Sequence, residues 1–87
     1  MLSIHPTTKS DLMQVTIYYF AYLREKRGIA VEQKKLLSSV SVGQLFQDIF
    51  GMSSQGIRFS INQEFVNPDR LVEAGDEVAF LPPVGGG

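Results

Sequence analysis

The sequence predicts an α+β domain in which a mixed sheet carries one main helix across one face. Two observations predict this class: short apolar runs alternate at period two, as strands do, and the clearest amphipathic helix lies between them. A chain of 87 residues has room for one modest core. We expect a single domain over residues 14–84, after a loosely ordered extension at residues 1–13 and before a flexible glycine tail at residues 85–87.

The first half of the predicted sheet is a hairpin. Residues 14–20 (QVTIYYF) place β-branched and aromatic side chains on one face at period two, which is typical of a strand. Residues 21–27 (AYLREKR) favour a helical turn, and Gly28 suits its end. Apolar and polar side chains alternate less cleanly over residues 29–37. We predict that these residues form a second strand, paired with the first.

The main helix is predicted over residues 41–51. Ser41 can cap its N-terminus, and Gln44 follows at the spacing of a capping box. Gly51 suits the C-terminus. The apolar side chains recur at helical spacing on one face, which therefore packs against the sheet; they are Val42, Leu45, Phe46, Ile49 and Phe50.

The remaining strands are short and punctuated by turns. Residues 57–61 (IRFSI) form a third strand that ends at an Asn-Gln turn, and residues 64–66 (EFV) return from it. Residues 77–81 (EVAFL) form the last strand, which two prolines end because proline donates no sheet hydrogen bond. A single central helix within this order of strands favours a β-grasp arrangement.

Composition excludes several classes of function. The net charge is −1 and there is no basic stripe, so nucleic acid is not an expected partner. The absence of cysteine excludes disulfides, thiolate nucleophiles and Cys-based metal sites, and His5 stands alone, so no metal is expected. No apolar run spans a membrane and residues 1–13 do not resemble a signal peptide, which indicates a cytoplasmic protein. Translation from Met13 is an alternative start.

Catalytic side chains are not evident. Glu73, Asp76 and Glu77 are close in sequence, but they flank a glycine turn and are interpreted as solvated charges rather than an acid–base pair. Residues 24–27 (REKR) are interpreted as a solvated helical face, with contact to a partner or phosphate as the alternative. The sequence therefore does not predict an independent enzyme.

The C-terminus is the unusual feature. It runs from the last strand through a stiff diproline to three glycines, Gly85, Gly86 and Gly87. Glycine lets backbone pass where any side chain would clash. Four extended residues beyond Pro83 reach about 13–14 Å, enough to enter another protein's active site. A fraying terminus is the plainer alternative.

Three segments resemble the small subunits of molybdopterin synthase, which are ubiquitin-like sulfur carriers. Residues 17–25 (IYYFAYLRE) are similar to the opening strand and turn of that family. Residues 75–84 (GDEVAFLPPV) are similar to its last strand and diproline, and Gly86-Gly87 to its closing pair. The resemblance covers nearly all of the expected domain and implies the ubiquitin-like β-grasp fold.

The resemblance also implies a mechanism. A ubiquitin-activating-type adenylating enzyme would use ATP to form an acyl-adenylate on Gly87, and a sulfur donor enzyme would convert it to a thiocarboxylate. The large subunit of molybdopterin synthase would take two such sulfurs for the molybdopterin dithiolene, within a heterotetramer of two small and two large subunits. The carrier itself would hold no permanent cofactor.

The same resemblance implies roles for individual residues. Gly85 and Gly86 would give the tail clearance. Arg24 would contact a partner, with local stabilisation of the helical turn as its alternative. Four residues would dock against the partner: Leu81, Pro82, Pro83 and Val84. For Leu81, ordinary sheet packing is the alternative.

Three other functions stay open from the sequence. The chain could be a thiamine-pathway carrier or another thiocarboxylate donor of the same fold. It could be a protein modifier joined through Gly87 to lysines of its targets. It could also be a plain interaction domain, in which case removing Gly86-Gly87 would leave its function intact.

Overall fold

The computed structural model describes residues 12–83, which form one five-stranded mixed sheet and two helices. The strand order is β2-β1-β5-β3-β4; β1 and β5 are parallel and the other neighbours antiparallel. This confirms the predicted α+β class. The strands are β1 Met13–Tyr19, β2 Val31–Leu36, β3 Arg58–Ile61, β4 Glu64–Val66 and β5 Glu77–Leu81, and the helices are α1 Tyr22–Arg27 and α2 Val42–Phe50.

The bounds of the first two strands differ most from the prediction. Met13 belongs to β1, where it pairs with Leu36 of β2, rather than to the extension. β2 is shorter than the predicted residues 29–37, and its Val31 faces outward while Glu32 lies on the helix side, opposite the buried Ile17. The predictions for residues 1–11 and 84–87 lie outside the described residues.

The core lies between the sheet and α2. Phe46 of α2 meets Phe59 and Phe80 edge to face, with ring centroids 6.1 and 5.1 Å apart. Such aromatic pairs add to the free energy of burying large apolar surface. The predicted apolar face of the helix is therefore confirmed. Twelve side chains form the buried cluster: Val15, Ile17, Tyr19, Leu23, Val42, Leu45, Phe46, Phe59, Ile61, Val72, Val78 and Phe80.

The ends of α2 follow the sequence only in part. Ser41 Oγ accepts a 3.1 Å hydrogen bond from Gln44 N, and Gly51 closes the helix with a left-handed φ of 68°. The reciprocal half of the predicted capping box is absent over residues 12–83. Gln44 Nε2 instead donates to Asp48 Oδ1 at 2.9 Å, one turn along the helix. The capping-box prediction was therefore half right: the Gln44 side chain turns along the helix to Asp48 rather than back to the Ser41 amide.

A polar network ties α1 to the sheet edge. Tyr19 Oη donates a 2.7 Å hydrogen bond to Glu32 Oε1, and Arg27 pairs with both oxygens of Glu32. Partial burial disfavours the charged carboxylate, but the hydrogen bonds from Tyr19 and Arg27 outweigh it and lower the pKa of Glu32. Burial, and then the bond to Glu32, raise the pKa of the Tyr19 phenol. Over residues 12–83, neither helix is long or apolar enough to cross a membrane.

Candidate functional site

The strand that precedes the C-terminal segment, β5, lies at the centre of the sheet. β5 is hydrogen-bonded to β1 on one side and to β3 on the other, so that Phe80 lies opposite Tyr19 and Leu81 opposite Arg58. Leu81 and Pro82 are half-buried and Pro83 is exposed. The base of the predicted tail is thus held by a strand with two neighbours. Val84 and the three glycines lie beyond residue 83, so their roles stay predictions.

An apolar groove lies beside this base, on the sheet face opposite α2. The pairing of β1, β5 and β3 brings Tyr18 and Ser60 to either side of Ala79. Because Ala79 and Ser60 are small, they form a floor between larger neighbours. We call this the outer-face groove; it has a volume of about 390 Å³ and is lined by Tyr18, Phe20, Ser60, Gln63, Glu77, Ala79 and Leu81.

Apolar surface extends past the groove toward β4. Phe65, opposite Ser60 in the register, is 63 % exposed, and the guanidinium carbon of Arg58 lies 3.9 Å from the centroid of its ring. Phe20, at the end of the groove nearest the tail base, is 44 % exposed. Contiguous exposed apolar side chains beside a chain terminus are typical of a protein-binding surface.

The sequence reasoning selected Leu81 and Pro82 but missed Phe20 and Phe65. A signal for Phe20 was available, because the predicted strand ends in three consecutive aromatic residues, and alternation places the first and last of them, Tyr18 and Phe20, on its solvent side. Aromatic side chains on the solvent side of a sheet indicate a second packing surface. Phe65 carried no such signal, because β4 has only three residues and shows no clear alternation.

Arg24 lies in α1, just beyond Phe20, and its side chain is exposed. Within residues 12–83 this side chain makes no hydrogen bond or ion pair, whereas Arg27 of the same run is bound to Glu32. The structure therefore separates the two arginines: Arg27 is tied to Glu32, whereas Arg24 is exposed, and its contact with a partner stays a prediction.

The neighbouring carboxylates of Asp76 and Glu77 have different surroundings. Asp76 accepts hydrogen bonds from Asn62 Nδ2 at 3.0 Å and from Glu73 N at 2.8 Å, so it stabilises the turn before β5. Glu77, on the outer face of β5, lines the groove. Asp76 is therefore a turn residue and Glu77 a surface residue.

Comparison with known proteins gives the family. The sequence model of the ThiS family matches residues 17–87, which include the outer-face groove and the glycine tail. The chain belongs to the ThiS family. The predicted resemblance to ubiquitin-like sulfur carriers is thereby confirmed.

Named relatives refine the placement of this ThiS-family chain. It is 31 % identical over 83 residues to the molybdopterin synthase sulfur carrier subunit of Chlamydomonas reinhardtii, covering 86 % of this chain and all of the relative. It is 33 % identical over 85 residues to the subunit of the same name from Homo sapiens, covering 87 % and 97 %. These identities extend over most of the chain.

Solved structures confirm the β-grasp fold. SAMP1 from Haloferax volcanii superposes with a TM-score of 0.70 at 24 % identity, covering 85 % of this chain and 99 % of that structure. The ThiS-family domain therefore has the predicted arrangement of a mixed sheet and one main helix, to which the short α1 is added.

Proposed function

We propose that this chain is the sulfur carrier subunit of a molybdopterin synthase and that Gly87 carries the sulfur. One observation supports this most strongly: the central strand β5 leads directly through Leu81 and Pro82 to the tail, beside the apolar outer-face groove. A single partner can therefore hold the domain by the groove while it receives the tail. The names of the two relatives agree with this assignment.

The proposed chemistry takes place on the backbone terminus. The carboxylate of Gly87 attacks the α-phosphorus of ATP in an adenylating enzyme, which releases pyrophosphate and leaves an acyl-adenylate. Sulfur at the oxidation level of hydrosulfide, delivered by a sulfur donor enzyme, then adds to the carbonyl carbon and expels AMP. The product is a C-terminal thiocarboxylate. Oxyanion stabilisation in these steps belongs to the partner, so the carrier needs no catalytic side chain.

The thiocarboxylate then enters the large subunit. Two carriers supply the two sulfurs of the dithiolene, which accounts for a heterotetramer of two small and two large subunits. Gly85 and Gly86 let the tail pass through a narrow channel because they carry no Cβ. The diproline limits the directions in which the tail leaves β5.

Docking is assigned to the groove and the base of the tail. Phe20 and Leu81 offer apolar surface next to Pro82, and Arg24, which has no ion pair with residues 12–83, offers an exposed cation just beyond Phe20. Burial of such aromatic and arginine side chains supplies much of the binding free energy in protein complexes. The same face serves the adenylating enzyme and the large subunit in turn, since each must take the same tail.

Intact-mass measurement tests the proposal. The purified chain is incubated with its adenylating enzyme, ATP and a sulfur donor, beside a control that lacks Gly87. We expect a mass increase equal to one sulfur minus one oxygen in the full chain and no change in the control. The absence of a shift under conditions that convert an established carrier would refute the thiocarboxylate mechanism.

A thiamine-pathway carrier is the second candidate, because the matching family model is that of ThiS. It would form the same thiocarboxylate but would not pass its sulfur to the large synthase subunit. Incubating the thiocarboxylated chain with that subunit and the dithiolene precursor separates the two candidates. A protein modifier would instead appear as higher-mass adducts in cell extract.

A further inference from the structure

Strained backbone lies at the edge of the outer-face groove. Over residues 12–83, three residues other than glycine have a positive φ: Ala21, Asn62 and Gln63. Asn62 and Gln63 form the two-residue loop between β3 and β4, closed by the pair of Ile61 and Glu64, and their φ values are 54° and 72°. Such loops strongly favour Asn followed by Gly, so Gln63 occupies the position that normally takes glycine.

The fold explains the positive φ of Asn62 but not that of Gln63. Asn tolerates a left-handed backbone, and the Asn62 side chain also accepts a 3.0 Å hydrogen bond from Glu77 N while donating to Asp76. The Gln63 side chain makes no hydrogen bond within the described part of the chain, although it lines the groove. Backbone strain without an intramolecular compensation indicates a functional constraint on the side chain.

A second acceptor without a partner among residues 12–83 lines the groove together with Gln63. Glu77 is held next to the residue that precedes Gln63, because Asn62 N donates a hydrogen bond to Glu77 O at 2.8 Å. Its carboxylate is exposed, lines the same groove and forms no ion pair or hydrogen bond with any residue from 12 to 83. The amide oxygen of Gln63 and the carboxylate of Glu77 thus offer two acceptors at one end of the groove.

The groove is therefore amphipathic along β5. Glu77 begins the strand and Leu81 ends it, about 13 Å apart at the usual rise per strand residue. The Leu81 end, with Phe20, is apolar and adjoins the base of the tail. The Glu77 end, with Gln63, is polar and bears a negative charge. A complementary surface carries apolar side chains opposite the first end and a cationic donor opposite the second.

We propose that Gln63 and Glu77 form the polar end of the partner-binding groove and accept an arginine side chain from the large synthase subunit. A planar guanidinium has five donors, so it can bind an amide oxygen and a carboxylate together. This pairing fixes the orientation of the domain on its partner and so directs the tail. The inference rests on the proposed function, which supplies the partner.

Two substitutions test the pair in the full chain. Gln63→Gly removes the amide and suits the positive φ, so we expect it to unfold at the same or a higher temperature than the wild type. Its dissociation constant for the large subunit should still rise about 3–10-fold, the effect of losing one hydrogen bond. Glu77→Gln should weaken binding by a similar factor and also reduce the salt dependence of the affinity.

Glu73→Gln is the matched control. It removes the same charge from an exposed carboxylate that does not line the groove, and we expect wild-type affinity and salt dependence from it. Calorimetric titrations at low and physiological salt measure the affinity of the wild type and of the three variants for the large subunit.

The outcomes separate the inference from the proposed function. Wild-type affinity in Gln63→Gly and Glu77→Gln, with tight binding by the wild type, overturns the inference and leaves the carrier function in place. Equal effects of Glu77→Gln and Glu73→Gln would show only general electrostatics and also overturn it. Failure of the wild type to bind the large subunit overturns both.

Discussion

The ring of Phe46 in α2 meets the ring of Phe80 in β5 edge to face, with centroids 5.1 Å apart and planes at 85°. Both side chains are fully buried. Phe80 immediately precedes Leu81 and Pro82, so the packing of the helix also fixes the strand that leads to these two residues. Core stability and the position of the base of the proposed tail are therefore linked through this contact.

Phe46→Asp should unfold the domain. The substitution removes an aromatic core side chain, which lowers the free energy of unfolding by about 3–5 kcal/mol, and it buries a charge in its place. Together these costs exceed the free energy of unfolding of a small domain. Circular dichroism and one-dimensional NMR report the result. Gln47→Asp, on the exposed side of the same helix, should stay folded. A folded, soluble Phe46→Asp protein would contradict the packing described here.

Ser41→Ala and Gln44→Ala should differ in effect. Ser41 Oγ accepts the hydrogen bond that caps α2, so its removal should cost about 1 kcal/mol and lower the melting temperature by about 4–8 °C. Within residues 12–83 the Gln44 side chain does not complete a capping box and hydrogen-bonds only to the exposed Asp48, so its loss should cost less than about 0.5 kcal/mol. Equal effects in thermal melts would mean that the box forms in solution.

Glu32 should make stability depend on acid pH. Its folded pKa is lower than the usual value of 4.5, so the folded state binds the proton less readily than the unfolded chain does. The resulting stabilisation is complete above the unfolded pKa and is lost as the pH falls through the lower folded pKa. Urea denaturation at a series of acid pH values should show a smaller decline for Glu32→Gln. Superimposable declines would exclude the effect.

Phe20→Ala should weaken binding to the large subunit without unfolding the carrier. The side chain is almost half exposed, so its removal costs little stability, but as an aromatic anchor in the groove it should account for a tenfold or greater loss of affinity, roughly the level of an interface hot spot. Leu37→Ala is the matched control, since Leu37 is 85 % exposed and lies outside the groove. Calorimetry would give equal affinities for both if the groove were not the docking surface.

Local patterns predicted some elements to the residue. The bounds of β4 and β5 agree with the expectation from sequence, because an Asn-Gln turn and a diproline mark their limits. The second strand was predicted less well. Glu32 and Lys34 lie on the helix side of β2 with only Leu36 apolar among them, since an edge strand buries little and tolerates charge there. The alternation of apolar and polar residues therefore did not predict β2 well, because its side chains are only partly buried.

Contacts between distant residues were beyond local patterns. Gly43 lies within α2, where glycine is unfavourable, yet a Cβ there would lie 3.0 Å from both the Cβ and the carbonyl oxygen of Pro68. The Gly43 amide also donates to that carbonyl at 2.9 Å. Only the fold shows why the helix requires a residue without a side chain at this position.

The sequence by itself determined the class of fold, the buried face of the main helix and the diproline that leads to the glycines, because each depends on neighbouring residues. Tertiary structure alone decided the outer-face groove and its polar end. The parallel pairing of β1 with β5 brings Phe20 to Leu81, and the β3–β4 turn brings Gln63 to Glu77. The register of paired strands depends on residues far apart in sequence, because one complete face of the sheet must be buried against the helix.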